Sequence, residues 1–488
     1  MNNIFDKLKA YSDSDYYAFH MPGHKRNLDL MDGTSPYRID ITEIDGFDDL
    51  HHAEGILRDA QERAARVYHA DETHFLVNGS TVGILSAILG TTEKGDSILV
   101  ARNCHKSVYH AIYLNELDPV YLYPKFDTEQ GLSTEIDAAD VQKALEEHPK
   151  IRAVMIVSPT YDGVVSDIEK IAEIVHAKGC PLIVDEAHGA HFGFDPYFPK
   201  SANIYGADLV INSLHKTLPA LTQTALLHVN GDMVKRRKVK QYLDMLQTSS
   251  PSYILMASID ACIGMLEETL ETHSDTRSDY KYKNIFSEYA NRIEALRKDL
   301  KRLKYLKIIQ TDNTDRYDRS KFVISVKHAP MSSHELYEIL LHRYHLQMEM
   351  LAGTYVLAMT TVGDTQEGLD RLRDALLEID KEIDTKPGRP AAIETDLPLS
   401  GRQPALEKVW TIAEAVNRRD KIQKRSFEDS IGCISVEYAY LYPPGSPLIV
   451  PGERITKEAV EILHWYQEHD FSIEGLQSED GIEVWIDG

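Results

Sequence analysis

The feature of this sequence that most constrains its fold is an alternation of short apolar runs with helical segments in the first half of the chain. The apolar runs are SILVA (97–101), AVMIVSP (153–159), LIVDEAH (182–188), DLVINS (208–213) and TALLHV (224–229). The first four are unbroken, which is typical of strands buried on both faces of a parallel sheet. Residues 137–148 and 167–178, between these runs, have helical periodicity. The pattern predicts an α/β fold with helices on both faces of the sheet and ligands at the carboxyl ends of its strands.

The chain outside this alternation divides into smaller parts. We predict an arm at 1–53, the large sheet domain at 54–305, a small α+β domain at 306–384, a Pro-rich linker at 385–405 and a C-terminal α+β domain at 406–488. The large domain opens with a helix in EGILRDAQERAARVYHA and closes with a long charged helix at 275–305. In the small domain, KFVISV and VLAMTTVG are candidate strands, and 333–344 and 365–382 are candidate helices. The C-terminal domain has strands around ISVEYAYLY and a helix near 456–468.

The composition is that of an ordinary globular protein with an acidic surface. The chain has 488 residues, with 53 Lys and Arg against 77 Asp and Glu, and a net charge of −24. This charge argues against binding to nucleic acid or to an anionic membrane, because both need clusters of basic side chains. It would suit a cationic substrate, although acidic surfaces also serve solubility alone.

Targeting signals and cysteine pairs are not apparent in the sequence. The segment MNNIFDKLKAYSDSDYY lacks the apolar core of a signal peptide, and no run of about 18 apolar residues suggests a membrane span. The cysteines Cys104, Cys180, Cys262 and Cys433 are at least 76 residues apart, so they form no CxxC motif. We therefore expect a reduced, cytoplasmic protein.

Charged side chains directly follow two predicted strands. In DLVINSLHKTLPAL, Lys216 is either a solvated loop lysine or a lysine held in a crevice, where a lowered pKa allows a Schiff base with an aldehyde. In LIVDEAHGAHFG, Asp185 could pair with a protonated pyridine nitrogen and keep that ring an electron sink, or simply cap a helix. His188 and His191 could pack there or hold zinc, although no third ligand stands nearby.

Two further segments could contact a planar, phosphorylated ligand. In FLVNGSTVGILSAILG, Ser80 and Thr81 precede an apolar helical run, and such a turn offers N–H groups, hydroxyls and a helix dipole to phosphate. Ser and Thr are also common helix caps, so this signal is weak alone. Ser213 could add a hydroxyl to the same phosphate. His105, in ILVARNCHKSVYHA, follows a strand and could lie flat over a ring, or be a capping or surface histidine.

The order of these residues along one predicted sheet is more informative than any of them alone. A phosphate turn, a ring-stacking histidine, a ring-nitrogen aspartate and, 31 residues after the aspartate, a lysine form the layout of a pyridoxal-phosphate enzyme. The fold with this layout is the aspartate aminotransferase fold, fold type I. The sequence therefore predicts pyridoxal 5′-phosphate as cofactor, a mostly parallel sheet in the large domain, and no metal.

The chain also resembles the bacterial Orn/Lys/Arg decarboxylases, in their short form. The matching motifs are FHMPGHKR (19–26), DITEIDGFDDLHHAEG (40–55), VNGST (77–81), RNCHKSVYHA (102–111), SPTYDG (158–163), VDEAHGAHF (184–192), SLHKTLPALTQ (213–223) and YLYPPGSPLIVPGE (440–453). They run through nearly the whole chain. The PGHK and YPPG…PGE segments set this family apart from aminotransferases.

The resemblance implies a role for each matching residue. Lys216 would be the Schiff-base lysine, Asp185 the partner of the pyridine nitrogen, and His105 the ring stacked on the cofactor. The remaining cofactor contacts are Ser80, Thr81 and Ser213 at the phosphate, Thr160 and His188 near the ring or its 3′-oxygen, and His215 at the phosphate or as a proton donor. Glu453, in the PGE motif, would meet the distal cation of the substrate, or be a strand-end carboxylate without a ligand.

The reaction that the resemblance implies is the decarboxylation of a basic amino acid. Arginine, lysine and ornithine all fit, and arginine is favoured, which would yield CO2 and agmatine, a polyamine precursor. An aminotransferase or a Cα–Cβ lyase on the same fold would keep Lys216 and Asp185 and break a different bond. A non-catalytic regulator, and a zinc hydrolase built on His188 and His191, are further alternatives.

The resemblance also bears on assembly. Long, acid-inducible relatives carry an additional N-terminal wing domain, whereas the arm motif here begins at Phe19. We therefore expect the wing, and the decamer attributed to it, to be missing. Fold type I active sites lie at subunit interfaces, so a homodimer or a higher homo-oligomer is expected.

Overall fold

The computed structural model describes residues 13–27, 29, 36–271, 281–309, 316–385, 403–418, 420–441, 445–469 and 471–486. Its largest element is a seven-stranded sheet with the strand order Glu72–Leu76, Ala225–Val229, Leu209–Asn212, Leu182–Asp185, Ile151–Val157, Ser97–Ala101 and Asp118–Leu122. The last five strands in this order run parallel to one another. The structure confirms the predicted α/β fold with a mostly parallel sheet.

Part of the sheet departs from the sequence pattern. Ala225–Val229 pairs antiparallel with both of its neighbours. The connection that precedes it, residues 213–224, contains only the one-turn helix Leu214–Thr217 and no crossover helix, so the chain turns back. The pattern also misses the outer strands Glu72–Leu76 and Asp118–Leu122, because neither is an unbroken apolar run. Pro119 is tolerated because its strand lies at the sheet edge.

Helices connect and cover these strands. They are Ile56–Val67, Gly79–Thr91, Lys106–Leu114, Ala138–Glu147, Ile168–Ala177, Arg236–Leu246 and Tyr253–Glu271, with the single turn Pro36–Ile39 before them. Asp137 and Asp167 begin two of them, because their carboxylates accept hydrogen bonds from backbone N–H groups at 2.9 and 3.3 Å. None of the helices in the described ranges is long and apolar enough to cross a membrane.

The helix predicted at 275–305 is shorter in the structure, at Ile285–Leu300. Residues 275–280 of that prediction lie outside the described residues. The preceding helix, Tyr253–Glu271, is not predicted, because its sequence YILMASIDACIGMLEETLE is apolar on most sides and has no clear polar stripe.

A second, antiparallel sheet follows, with the order Lys307–Ile308, Lys321–Ser325, Tyr355–Met359 and Met350–Leu351. Its helices are Ser333–His342 and Gln366–Thr385. Ser332 begins the first of them in a capping box with Glu335. The predicted strands KFVISV and VLAMTTVG and both predicted helices are therefore present.

The arm is tied to both sheets. Its strand Tyr17–Phe19 pairs in parallel with Leu346–Met348 beside the second sheet. The N–H of Gly23 donates to the carbonyl of His215 at 2.6 Å, on the loop that follows the large sheet. A Cβ at Gly23 would lie 2.7 Å from the backbone of Leu218, so only glycine allows this approach.

The C-terminal part contains two small sheets and two helices among its described residues. The strand orders are Ile422–Arg425, Ile482–Trp485, Ile434–Ser435 in one sheet and Pro447–Ile449, Ala439–Leu441, Ile473–Glu474 in the other. The helices are Ile412–Val416 and Lys457–Glu468. The segment ISVEYAYLY divides between two short strands. Most of the predicted linker, residues 386–402, lies outside the described residues.

Candidate active site

A cavity of about 600 Å³ lies at the carboxyl ends of the parallel strands. Of the ten residues that the sequence assigns to a site, the structure brings eight to the wall of this cavity: Ser80, Thr81, His105, Thr160, Asp185, His188, His215 and Lys216. Ser213 and Glu453 do not line it. Strands and helix ends thus bring together side chains that are up to 136 residues apart in the sequence, the separation of Ser80 from Lys216.

Lys216 lies in the single helical turn that follows the strand Leu209–Asn212. Its Nζ is 3.0 Å from Nε2 of His188. Burial lowers the pKa of the Lys216 amine, and the carboxylates of Asp185 and Glu349 oppose this only in part. A lysine with a lowered pKa is more often a free amine, which is the nucleophilic form.

Asp185 is the last residue of the strand Leu182–Asp185 and is 4% exposed. Its Oδ1 accepts a hydrogen bond from the N–H of Ala187 at 3.0 Å. Burial raises the pKa of this carboxyl, and the charge of Lys216 acts in the opposite direction. A buried carboxyl with few partners is well suited to bind a cationic ring nitrogen.

The helix Gly79–Thr91 begins at the cavity wall. Asn78 occupies the cap position but makes no capping hydrogen bond, because its side-chain oxygen accepts from the N–H of Thr248 at 3.2 Å. The N–H of Gly79 donates to the carbonyl of Gln223 at 3.0 Å, and the next N–H groups of this helix are left for another acceptor, beside the hydroxyls of Ser80 and Thr81. Ser213 is fully buried, and its Oγ has no hydrogen-bond partner in the described structure.

His105 caps the helix Lys106–Leu114, and its Nδ1 lies 2.9 Å from Oγ of Ser107. Burial, with the charges of Lys216 and Lys106, lowers the pKa of His105 to about 3. The ring is therefore neutral at pH 7. His105 thus caps a helix, as one alternative from the sequence has it, and also lines the cavity, while its stacking on a ring stays a prediction.

The remaining predicted contacts are held by the backbone or by neighbouring side chains. Nδ1 of His215 donates to the carbonyl of Thr224 at 2.9 Å, which leaves Nε2 as an acceptor, and burial lowers the pKa of His215 to about 4. Thr160 Oγ1 accepts from the N–H of Val164 at 3.0 Å. The ring of His188 lies 4.4 Å from that of Tyr161, centroid to centroid.

His188 and His191 do not share a ligand direction. Nε2 of His191 is 3.1 Å from Oδ1 of Asp318, whereas His188 faces Lys216. Within the described ranges, no group of three or more His, Cys, Asp or Glu side chains is arranged to hold a metal ion.

Glu453 lies away from the cavity wall, in contact with an arginine. This carboxylate is 1% exposed, and its two oxygens accept from Nε and Nη2 of Arg102 at 3.3 and 3.0 Å. The N–H of Val450 donates to it at 2.8 Å. The cation that Glu453 binds is thus an internal arginine, and the pair joins the C-terminal part to the large sheet.

The sequence analysis missed several residues around the cavity. Gln403 and Ser446, from the C-terminal part, line it, and Oγ of Ser446 donates to the carbonyl of Asn103 at 2.8 Å. Ser446 stands in the YPPGSP segment, which could have indicated it. Lys321 and Glu349 contact lining residues from the second sheet, and no motif points to either of them.

Comparison with known proteins gives a consistent result along the whole chain. A family model described as the Orn/Lys/Arg decarboxylase major domain matches residues 2–339, and the model for the C-terminal domain of that family matches residues 402–484. The uncharacterized protein YaaO of Bacillus subtilis (strain 168) is 36% identical over 468 residues, 94% of this chain and 93% of that protein. The arginine decarboxylase of Bacillus anthracis is 31% identical over 490 residues, 97% of this chain and 94% of that enzyme.

Solved structures share the fold. The lysine decarboxylase LdcF of Francisella novicida superposes with a TM-score of 0.79 at 19% identity, covering 98% of this chain and 80% of that one. The ureidoglycine–glyoxylate aminotransferase of Bacillus subtilis superposes with a TM-score of 0.59 at 12% identity, covering 78% of this chain and 98% of that one. These likenesses confirm the predicted aminotransferase-like large domain.

Proposed function

Because the chain belongs to the Orn/Lys/Arg decarboxylase family, we propose that it removes the α-carboxylate of a basic amino acid as CO2, with pyridoxal 5′-phosphate as cofactor. Arginine is the favoured substrate, in keeping with relatives named arginine decarboxylase over nearly their full length. The observation that carries the proposal is the meeting of Lys216 and Asp185 in one cavity at the strand ends.

The residues of the cavity fit this cofactor. The uncapped N-terminus of Gly79–Thr91 offers N–H groups to a phosphate, and the Ser213 hydroxyl is buried without a partner. Asp185 supplies a buried carboxyl for a ring nitrogen, and Lys216 an amine with a lowered pKa for an aldehyde. Burying each of these polar groups costs free energy, and a bound ligand would offset that cost.

When bound, pyridoxal phosphate supplies an aromatic ring that accepts the electron pair left behind as CO2 departs. Asp185 would keep the ring nitrogen protonated, and Ser80 and Thr81 would hold the phosphate. His105 is neutral and lines the cavity. It would orient the ring, because the bond that breaks must be perpendicular to the ring plane. His215 carries an acceptor Nε2, so it could hold a proton there and return it to the product carbon.

Further features of the proposal concern the setting of the reaction. The amine product would enter polyamine synthesis in the cytoplasm. The active unit would be a homodimer or a larger homo-oligomer, and the group that meets the substrate's distal cation would be one other than Glu453.

The test is a CO2-trapping assay with arginine, lysine and ornithine supplied separately to protein loaded with pyridoxal phosphate. We expect CO2 and one amine product from one of the three, with arginine the best substrate. Keto-acid formation without CO2 would favour an aminotransferase. The visible absorbance of the loaded protein should disappear in Lys216→Ala.

A matched control is Lys106→Ala, because Lys106 also lines the cavity but lies within hydrogen-bond distance of Tyr440, 3.4 Å away. This variant should keep the visible absorbance. Equal loss of absorbance in both variants would contradict the assignment of Lys216.

A further inference from the structure

His188 lies between the fully buried Lys321 and Lys216, which lines the cavity. Its Nε2 is 3.0 Å from Nζ of Lys216, and its Nδ1 is 3.3 Å from Nζ of Lys321. The two lysines come from different sheets, since Lys216 follows a strand of the large sheet and Lys321 begins a strand of the second one. The imidazole thus contacts both amines.

The imidazole of His188 limits how many protons the two lysines and the ring can hold together. Burial and the two lysine charges lower the pKa of His188 well below its ordinary value, so the ring is neutral. A neutral imidazole has one N–H donor and one acceptor nitrogen. An ammonium group can face the acceptor nitrogen, but the amine that faces the N–H must itself be an acceptor, and hence unprotonated. Both contacts can therefore be hydrogen bonds only when the lysine that faces the N–H is a free amine, whereas the lysine that faces the acceptor nitrogen can keep its proton.

The charges around the two amines decide which lysine keeps the proton. Besides His188, several charged or titratable groups interact electrostatically with Lys321. They are Asp318, Glu349, Asp162, Lys216 and Lys25. Burial lowers the pKa of Lys321 to about 8, which still leaves it mostly protonated at pH 7. Lys216 faces the cavity and is the amine that has to react.

The position of the Lys321 side chain is closely fixed. Gly163, at φ +103°, lies against its stem, and a Cβ there would come within 3.0 Å of the Lys321 Cγ. The N–H of Lys321 donates to the carbonyl of Asp318 at 3.1 Å. The packing leaves little room for the amine to swing away from His188.

We propose that Lys321 is a positioning residue whose ammonium group donates a hydrogen bond to Nδ1 of His188, so that the ring carries its one hydrogen on Nε2, donates it to Lys216 and keeps that lysine a free amine. The proposal rests on the proposed function only in assigning Lys216 as the amine that bonds to the cofactor aldehyde. In that bond-forming step the Nζ lone pair attacks the aldehyde carbon, a C=N bond forms, and the two amine hydrogens leave with the aldehyde oxygen as water. An ammonium group at position 216 has no lone pair and cannot begin this step.

The test measures the protonation of Lys216 without any cofactor. Protein free of pyridoxal phosphate is treated with a trace of acetic anhydride between pH 6 and 10, and acetylation of Lys216 is followed by peptide mass spectrometry. In Lys321→Met the imidazole no longer faces an ammonium group, so Lys216 can take the proton itself. We expect the pH of half-maximal acetylation to rise by about one unit, which is about a tenfold loss of reactivity at pH 7.

Two further variants separate this role from a packing role. Lys321→Arg keeps a permanent cationic donor and should restore the wild-type profile. Lys25→Met removes another buried lysine, whose Nζ donates to the carbonyls of His20 and Met359 at 2.9 and 2.8 Å, and should leave the profile of Lys216 nearly unchanged. Equal shifts in Lys321→Met and Lys25→Met, or failure of arginine to restore the profile, would overturn the proposal.

A measurement on the unaltered protein covers the case in which Lys321→Met does not fold. Nitrogen-15 NMR of histidine-labelled protein should show a neutral His188 with its hydrogen on Nε2 at pH 7, and a hydrogen on Nδ1 would contradict the proposal. The CO2 assay is independent of both measurements. A wild-type Lys216 profile without CO2 from any basic amino acid would refute the proposed function alone, whereas CO2 release with an unchanged Lys321→Met profile would refute this inference alone.

Discussion

Arg102 with Glu453 and Lys216 with Asp185 are two combinations of a basic and an acidic side chain within the described residues, and they differ in how fully their hydrogen-bonding groups are used. Arg102 donates to Glu453, to the carbonyls of Pro447 and Leu448, and to the hydroxyl of Tyr109. The Asp185 carboxylate, by contrast, accepts one hydrogen bond within the described structure, from the N–H of its neighbour Ala187, and the amine of Lys216 contacts His188.

This difference distinguishes a pair that stabilises the fold from a pair that is available to a ligand. A buried charge whose partners are all internal has no capacity left for a ligand, and it serves to hold two parts of the chain together. A buried charge with unused capacity is costly in the protein alone, and a ligand offsets that cost. Glu453 and Asp185 are both buried carboxylates in motifs that match the family, so only their hydrogen-bond partners distinguish them.

The largest effect on activity is expected for Asp185, whose carboxylate has one hydrogen-bond partner in the described structure. Asp185→Asn keeps the shape of the side chain but removes the charge that would keep a ring nitrogen protonated. We expect kcat/KM for decarboxylation to fall at least about 1000-fold, or about 4 kcal/mol. Urea unfolding should change little, and a stability loss as large as the activity loss would break the comparison.

The Arg102–Glu453 pair should contribute to stability and not to activity. Glu453→Ala leaves the Arg102 guanidinium buried without its counter-charge, and we expect a loss of about 3–5 kcal/mol in the free energy of unfolding. Urea denaturation of the single variant measures this loss. The double variant Arg102→Met with Glu453→Leu should recover much of it, and no recovery would mean that the carboxylate has a second role.

Buried histidines extend the comparison to pH. His228 uses both ring nitrogens, at 2.7 Å from Thr73 and 3.0 Å from Asn212, whereas His215 keeps one for the cavity. Burial lowers the pKa of His228 to about 3, below the ordinary value of 6.5, so its stabilising effect is complete above pH 6.5 and is lost as pH falls toward 3. Near pH 5 one such histidine costs about 2 kcal/mol. Urea unfolding at pH 5 and 7 should show a smaller difference for His228→Gln than for the wild type.

The smallest expected effect concerns the C-terminal contribution to the cavity. Ser446→Ala removes the hydrogen bond to the carbonyl of Asn103 next to His105. We expect KM to rise about fivefold, or about 1 kcal/mol, with kcat nearly unchanged. Steady-state kinetics will show this, and a fall in kcat without a rise in KM would mean that the residue acts on the reacting atoms.

The sequence predicted the parts of the fold that are governed by local patterns. SILVA and LIVDEAH are strands because unbroken apolar runs are buried on both faces, and the polar residues that end those strands necessarily meet at one edge. The return strand Ala225–Val229 has the same apolar character, and its direction depends on the connection before it, which composition does not reveal.

The site residues that the large sheet contributes could be predicted from the sequence, whereas those contributed by the second sheet could not. Lys321 stands at the start of a strand where a surface lysine is the ordinary expectation, and its contact with His188 joins positions 133 residues apart. The contact of Glu453 with Arg102 was not predictable for the same reason, because the two residues are 351 positions apart. Pairings over such distances follow from the tertiary fold, and no spacing within the sequence indicates them.

The contact between Gly23 and the carbonyl of His215 has a consequence for how the chain matures. It joins the arm to the loop of Lys216 across 192 residues, and a Cβ at Gly363 would lie 2.6 Å from the carbonyl oxygen of Gly23, so three distant segments meet at one point. Contacts of such long sequence separation form late, since the entropy of closing the intervening loops opposes them. We therefore expect the loop of Lys216 to reach its final shape among the last steps of folding. Uptake of the cofactor by a newly made chain would then report that the chain has finished folding.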